Sequence, residues 1–357
     1  MKRKRLVLLM TFAMAVMLFF GCSQTKDSES NNRERLESDV QQTENTEHTE
    51  LTLTESDNEQ DDLNSEEPAD SNTPVVYMTA EISPEKLVEL YETLGASPEG
   101  NIAVKLSTGE PGSNYLRVDL IGDLIASLDN PTIVECNTAY GGARANTAMH
   151  YQVAEDHGYT AIADVDIMDE NGSMTLTVTG GSNLTENYVG VNFANYDYFI
   201  VISHFKGHAM AGFGGAIKNI SIGIASAEGK SHIHSGGTGG NMWSGEQDAF
   251  LESMAEAGKS VVDALDGNIL YINVMNRLSV DCDCDSNPAE PDMHDIGILA
   301  SFDPVALDQA CVDLVYSAAD GQSLINRIES RNGLHTLEHA ESIGLGSRTY
   351  RLESIDD

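Results

Sequence analysis

Short, almost wholly apolar runs alternate along most of this chain with stretches whose apolar residues recur at helical spacing. Val75 to Met78, Asn101 to Leu106, Pro131 to Cys136, Tyr198 to Ile202, Asn268 to Val274 and Asp295 to Ser301 read as strands. The unbroken run Tyr198-Phe199-Ile200-Val201-Ile202 reads as a buried one. Helix patterns lie between them. Ser83-Pro84-Glu85 supplies a cap and a proline at the first helical position, and Leu87, Leu90, Tyr91 and Leu94 then share one face. Val118 to Leu128, Thr147 to His157, Gln247 to Leu265 and His335 to Ile343 predict further helices, and Asp303-Pro304 opens another that runs to Ser317. Tyr350-Arg351-Leu352 is a closing strand. Strand, polar loop and helix alternating at this spacing predict an α/β fold, a mostly parallel sheet flanked by helices. Residues 160–195 break the pattern. Thr160 to Ile167, Ser173 to Val178 and Tyr188 to Phe193 are short, rich in Thr and Val, and separated by Asn, Gly and Ser, which predicts a small antiparallel β extension. The glycine-rich residues 227–245 predict a loop.

The first residues belong to a different pattern. Lys2-Arg3-Lys4-Arg5 and the apolar LVLLMTFAMAVMLFF read as an export signal, too short to be a typical membrane span. Leu18-Phe19-Phe20-Gly21-Cys22-Ser23 resembles a bacterial lipoprotein box, in which the cysteine is lipidated and becomes the mature N-terminus. The expectation is a signal peptide over residues 1–22, lipidation at Cys22, and a bacterial membrane anchor that holds the rest of the chain on the extracytoplasmic face. Residues 23–74 are rich in Ser, Thr, Asn, Asp, Glu and Gln and carry few apolar side chains. Such a segment cannot bury enough surface to offset its ordering entropy, so it predicts a disordered acidic linker. The folded domain is then residues 75–354.

Charge narrows the partners. The 357 residues carry 57 Asp and Glu against 20 Lys and Arg, a net charge of −37. A nucleic-acid backbone would be repelled, and no nucleic-acid partner is expected. The few lysines of the folded part therefore stand out, and Lys206, Lys218 and Lys230 fall within one short window. They are either solvated surface or a local positive site for a carboxylate or phosphate.

That window is also where the candidate chemistry gathers. The strand Tyr198 to Ile202 ends in polar sequence with His204, Lys206 and His208, then a Gly212-Phe213-Gly214-Gly215 turn, then Lys218 and Asn219. Ligands of α/β proteins bind beyond the carboxyl ends of strands. His204 and His208 are candidate metal ligands, acid–base groups or structural residues. His232 and His234, in the next loop, could join them, since side chains two apart in an extended segment point the same way. Cys282-Asp283-Cys284 follows a strand and offers soft metal ligands, a redox-active pair, or ordinary thiols. Lys105 and Arg144, each at or beyond a strand end, are candidate anion binders. Asp303 reads as a helix cap, and Asp308 could reach the site from one turn further on. Cys136 and Cys311 read as core. No Walker loop, nucleophile elbow or dinucleotide fingerprint is present, against nucleotide use and serine hydrolysis.

Four segments carry a family resemblance: SHFKGHAMAGFGGAIKNISIGIAS at 203–226, CDC at 282–284, DIGILASFDPVALDQACVDLV at 295–315 and LEHAESIGLGSRTYRL at 337–352. In this order they resemble the domain of unknown function 362 family, whose members are often named uncharacterised iron–sulfur centre proteins. The likeness covers residues 75 to 354, and it implies that Lys206, Lys218 and Asn219 bind an anionic group. The chain departs from the relatives that carry the iron–sulfur name. A four-iron cluster takes cysteines spaced C-x2-C-x2-C-x3-C, and the corresponding SAEGKSHIHSGGTGG has none, so no such cluster is expected. The His-Lys-His arrangement is similar in residue types to nickel-dependent lactate racemases. Together these readings predict a metal-dependent enzyme acting on a small anionic substrate. His204, His208 and Lys206 would be catalytic, and a divalent transition metal would sit on His204, His208, Cys282, Cys284, His232 and His234. Lys218, Asn219, Arg144 and Lys105 would hold the substrate. The alternatives are a non-enzymatic ligand- or metal-binding surface lipoprotein, or a scaffold that has lost its iron–sulfur module.

Overall fold

A computed structural model describes residues 72–356 of the chain. The expected signal peptide, the lipidation site Cys22 and nearly all of the acidic linker lie outside the described residues. The domain opens with β1 (Val75–Thr79) and α1 (Pro84–Thr93), whose cap Ser83 accepts a hydrogen bond from the Lys86 amide. Then come β2 (Ile102–Lys105), α2 (Val118–Ser127), β3 (Thr132–Glu135), α3 (Thr147–Asp156) and β4 (Asp164–Ile167). The hairpin β5 (Ser173–Thr177) and β6 (Glu186–Gly190) precedes the central β7 (Tyr198–His204). A tight ribbon, β8 (Lys206–His208) and β9 (Gly212–Gly214), leads into α4 (Ala216–Ser221), α5 (Ala227–His234) and the long α6 (Gln247–Leu265). The last part holds β10 (Ile269–Met275), β11 (Gly297–Ser301), α7 (Pro304–Ser317), α8 (Gln322–Ser330), α9 (His335–Ser342) and β12 (Arg351–Ser354).

The main sheet has eight strands in the order β12-β1-β11-β10-β7-β2-β3-β4. Strands β10, β7, β2, β3 and β4 pair in parallel, and β11 runs against both of its neighbours. The expected α/β architecture, a mostly parallel sheet with flanking helices, is what the chain forms. Side chains alternate across the sheet. Phe199 and Val201 of β7 pack into one core with Ile217 and Ile220 of α4 and Val305 of α7. Ile200 and Ile202 pack into the other, with Leu87 and Leu90 of α1 and Leu124 of α2. Each such side chain taken fully from water contributes about 1.5–3 kcal/mol, so the double-sided runs tie both helical layers to one sheet.

The chain moves outward from β2 to β3 and β4, then crosses back to place β7 on the other side of β2. The carboxyl ends of β2, β3 and β7 therefore flank a reversal of strand order, where α/β sheets open a crevice. Two sequence expectations differ from what is seen. Residues 164–167 join the main sheet as β4, so the antiparallel extension is the β5–β6 hairpin alone. The expected loop at 227–245 begins as helix α5, because Ser226 caps it by accepting from the Gly229 amide. Gly229 is not a loop signal: a Cβ there would sit 1.9 Å from the Tyr188 carbonyl oxygen, so the helix approaches β6 only with glycine at that position.

Candidate functional site

The carboxyl ends of β2, β3 and β7 supply Lys105, Glu135 and His204 to a cavity of about 330 Å³. Its wall also holds Arg144, Lys206, His208, Lys218, Asn219, Lys230, His234 and the Cys282-Asp283-Cys284 segment, with Met242 and Trp243 completing it. The sequence-predicted residues thus converge, apart from His232 and Asp308. Because α5 is helical, His232 and His234 point apart. His232 lies half-buried against the Tyr188 ring, 5.1 Å between centroids, and does not line the cavity.

Most of the cavity's cations are already paired. Arg144 donates from Nε to Glu110 Oε1 at 3.0 Å, from Nη1 to Glu135 Oε1 at 3.2 Å, and from Nη2 to the Tyr140 hydroxyl at 2.9 Å. The other Glu135 oxygen accepts from Thr108 Oγ1 at 2.8 Å and faces His150 Nε2 at 2.5 Å. Burial alone would raise the Glu135 carboxyl, but Arg144 and His150 outweigh it and hold it well below the usual carboxylate range. Lys206 donates to Asp283 Oδ1 at 2.8 Å. Burial pulls the Lys206 ammonium down while Asp283 opposes it; burial would raise Asp283, but His204 and Lys206 together hold that carboxyl well below its ordinary value. Lys105, fully buried, donates to the Leu106 carbonyl at 2.8 Å and to Asn219 Oδ1 at 2.9 Å, and burial brings its ammonium down to about 8. Asn219 in turn donates to the Ile202 carbonyl and to Ser203 Oγ, both at 3.1 Å, so it locks α4 to the ends of β2 and β7.

Lys218 differs. No hydrogen-bond or ion-pair partner faces its ammonium among the described residues. Burial, reinforced by Arg144, Lys105 and Lys230, brings that ammonium down to about 8. Asp308, a candidate for the site, is turned away from it: its carboxylate accepts from the Ala216 and Ile217 amides at 2.7 and 2.9 Å and so caps α4, the helix that carries Lys218. Asp303 caps α7 as expected, accepting from the Val305 and Ala306 amides.

The three histidines of the cavity are in three different states. His204 faces Asp283 Oδ2 with Nδ1 at 3.0 Å and the Asn276 carbonyl with Nε2 at 2.9 Å. Both nitrogens look at acceptors, so neither presents a lone pair to a metal as arranged. His208 Nδ1 accepts from the Met210 and Ala211 amides at 3.2 and 2.9 Å, which leaves the proton of a neutral ring on Nε2. Burial, with Lys218 next, pushes this imidazole well below its ordinary value, and it is neutral. His234 is the reverse: Nδ1 faces the Lys230 carbonyl at 2.7 Å and donates, so Nε2 keeps a lone pair. Burial brings it down to about 4, and its ring stacks on Phe250. The cavity thus holds one imidazole offering N–H and another offering a lone pair.

Cys282 and Cys284 form a disulfide, Cα atoms 5.3 Å apart. Donor atoms of His208, Cys282 and Cys284 lie within 4.8 Å of one another, a cluster that could hold a metal ion. Two thiolates are needed for soft-metal ligation, so occupancy would require reduction of the cystine and a lone pair on the cavity nitrogen of His208. Glu110, Glu135 and Asp283 went unnoticed as site residues from sequence. The signal was there for Glu135, a carboxylate ending the apolar run Thr132-Ile133-Val134.

Fold and site define an α/β protein with a cation-rich pocket at the switch point of its sheet. The family model described as Domain of unknown function (DUF362) matches residues 102–313, and the chain belongs to that family. No curated protein matches in sequence. Among solved structures, the lactate racemase apoprotein from Thermoanaerobacterium thermosaccharolyticum is similar at 13% identity and a TM-score of 0.43, over 69% of this chain and 57% of that one. A protein from Thermotoga maritima is similar at 11% identity and a TM-score of 0.37, over 72% of this chain and 58% of its own. The chain spans less than two thirds of either protein's length, and likenesses this distant carry no functional argument.

Proposed function

We propose that the cavity binds and transforms a small organic anion, with Lys218 as counter-charge, His208 as hydrogen-bond donor and His234 as the lone pair that accepts a proton. The observation that carries this reading is the unpaired Lys218. The chain carries a net charge of −37, yet Lys218, unlike Lys105, Lys206 and Lys230, has neither a hydrogen-bond nor an ion-pair partner among the described residues. Partial burial without a partner disfavours the charged ammonium, and a ligand that brings the missing charge relieves that cost. The neutral His208 offers an N–H to the bound acid as a hydrogen-bond donor, and the His234 lone pair can take a proton from it. The enzyme would be exported and held at the outer face of the bacterial membrane by a lipid on Cys22; support for that lies in the basic and apolar leader and the Gly21-Cys22 junction.

Trp243 is the only tryptophan of the chain and lines the cavity, so its fluorescence reports occupancy. Titration of the full chain with small mono- and dicarboxylates and inorganic phosphate should change that emission, and Lys218→Met should abolish the change. Emission indifferent to every anion in the wild type would sink the reading. NMR spectra of each bound acid in deuterated water then separate turnover from mere binding.

A second reading, a divalent transition metal at His208, Cys282 and Cys284, is favoured by the closeness of those donors. It predicts one zinc or nickel ion per chain after treatment with a dithiol, and none in the oxidised protein or in Cys282→Ser. Elemental analysis showing no metal after reduction would rule it out.

A further inference from the structure

Four lysines face one cavity, and three of them have work that ties them down. Lys105 bridges Leu106 and Asn219, Lys206 is paired with Asp283, and Lys230 donates to the Ala225 and Cys136 carbonyls. Of these four, Lys218 alone has no hydrogen-bond or ion-pair partner at its amine among the described residues. It is carried on α4, a short helix fixed at one end by Asp308 and along its side by Asn219. Glycine shapes the space around these amines. A Cβ at position 214 would lie 3.1 Å from Lys218 Cδ, and one at position 223 would lie 2.8 Å from Lys105 Nζ.

An ammonium whose only task is to hold an anion is best kept fully charged. Here the surroundings do the opposite: the amine lies partly buried in the cavity wall beside the charges of Arg144, Lys105 and Lys230, while Asp283 is spent on Lys206 and His204. Desolvation beside other cations is how proteins turn a lysine into a nucleophile. With its ammonium brought down to about 8, Lys218 has on the order of a hundred-fold more free amine near neutral pH than an ordinary lysine.

We propose that Lys218 is a nucleophile that forms an imine with the carbonyl carbon of a small 2-oxo carboxylate, whose carboxylate lies in the field of the neighbouring cations. The inference rests on the small-anion reading of the cavity. The neutral amine adds to the carbonyl carbon, forming the C–N bond. The resulting carbinolamine then loses its hydroxyl: the carbonyl oxygen departs as water, carrying both protons that the amine brought. No oxidant or reductant is consumed. The imine, once protonated, makes an adjacent C–H carbon, where the oxo acid has one, acidic, and the His234 lone pair lines the same cavity to accept that proton.

The test is reductive trapping. The full chain is incubated with glyoxylate, pyruvate or 2-oxoglutarate in the presence of sodium cyanoborohydride and mapped by peptide mass spectrometry. The expected result is one adduct per chain on the peptide bearing Lys218, which gains the mass of the oxo acid less one oxygen, since water is lost on condensation and two hydrogens return on reduction. Labelling there should exceed that of Lys259, whose ammonium is ion-paired with Asp263. Lys218→Arg should lose the adduct yet keep the Trp243 response to the acid. If an oxo acid changes Trp243 emission but leaves Lys218 unlabelled, or labels it no more than Lys259, the imine is overturned and the anion site stands. If neither emission nor labelling responds to any of the three, both readings fall.

Discussion

Two walls of the same cavity handle charge in opposite ways. On the β3 side, Arg144 is gripped by Glu110 and Glu135, Glu135 is completed by Thr108 and His150, and every charge has its opposite. On the α4 side, Lys218 has no counter-charge, and His208 and His234 are each satisfied at one nitrogen only. The first wall looks after itself. The second is complete only when something enters. Buried polar groups normally find partners within the protein, so the difference between the walls separates architecture from the place kept for a ligand.

The comparison can be broken first at the closed wall. Arg144→Met keeps the side chain's bulk and removes its charge, leaving Glu135 and Glu110 enclosed without their cation. Removing one partner of a buried pair typically costs about 3–5 kcal/mol, and chemical denaturation should show a loss of that size. A loss below about 1 kcal/mol, the range of exposed pairs, would show that this wall is not the closed network its distances describe.

The open wall should respond with the opposite sign. Lys218→Met should raise stability by about 1–3 kcal/mol near neutral pH while abolishing anion binding. The pH dependence follows from the lowered ammonium. Between about 8 in the folded chain and 10.5 in the unfolded chain, the unfolded state binds more protons at this position, so the parent gains stability as pH rises through that window. The advantage of Lys218→Met should therefore be full below pH 8 and shrink above it. An advantage that stays constant from pH 7 to 10 would mean that the Lys218 amine is not held in the state described.

The two walls were not equally legible in the sequence. The strands of the main sheet and most of the helices they alternate with could be read from apolar runs and caps, because those depend on neighbours in the chain; α4, α5 and α8 could not. The candidates Lys105, Arg144, His204, Lys206, His208, Lys218, Asn219, His234, Cys282 and Cys284 do meet in one cavity. What each of them does there was not legible. Whether a cation is spent or free depends on partners far away in sequence: Arg144 on Glu110, Lys206 on Asp283, α4 on Asp308. His204 looked like a ligand until the Asn276 carbonyl and Asp283 were found on its two nitrogens. No spacing rule carries that information.

The smallest effect is the one that tests this reading of local structure most directly. His232 and His234 lie two residues apart. An extended segment would send both side chains to the same side, whereas two residues along a helix turn the direction through more than half a circle. The chain adopts the helix because Ser226 caps it and Gly229 lets it lie against Tyr188, so only His234 reaches the cavity wall. His232→Ala should then shift stability by no more than about 0.5 kcal/mol, the usual range for a substitution away from core and site. It should also leave the anion response of Trp243 unchanged. His234→Ala, which removes both the lone pair and the stack on Phe250, should weaken that response and cost more in stability. Equal responses from the two substitutions would mean that residues 227–234 do not hold their helix around a bound anion, and that the open wall is less fixed than its caps make it.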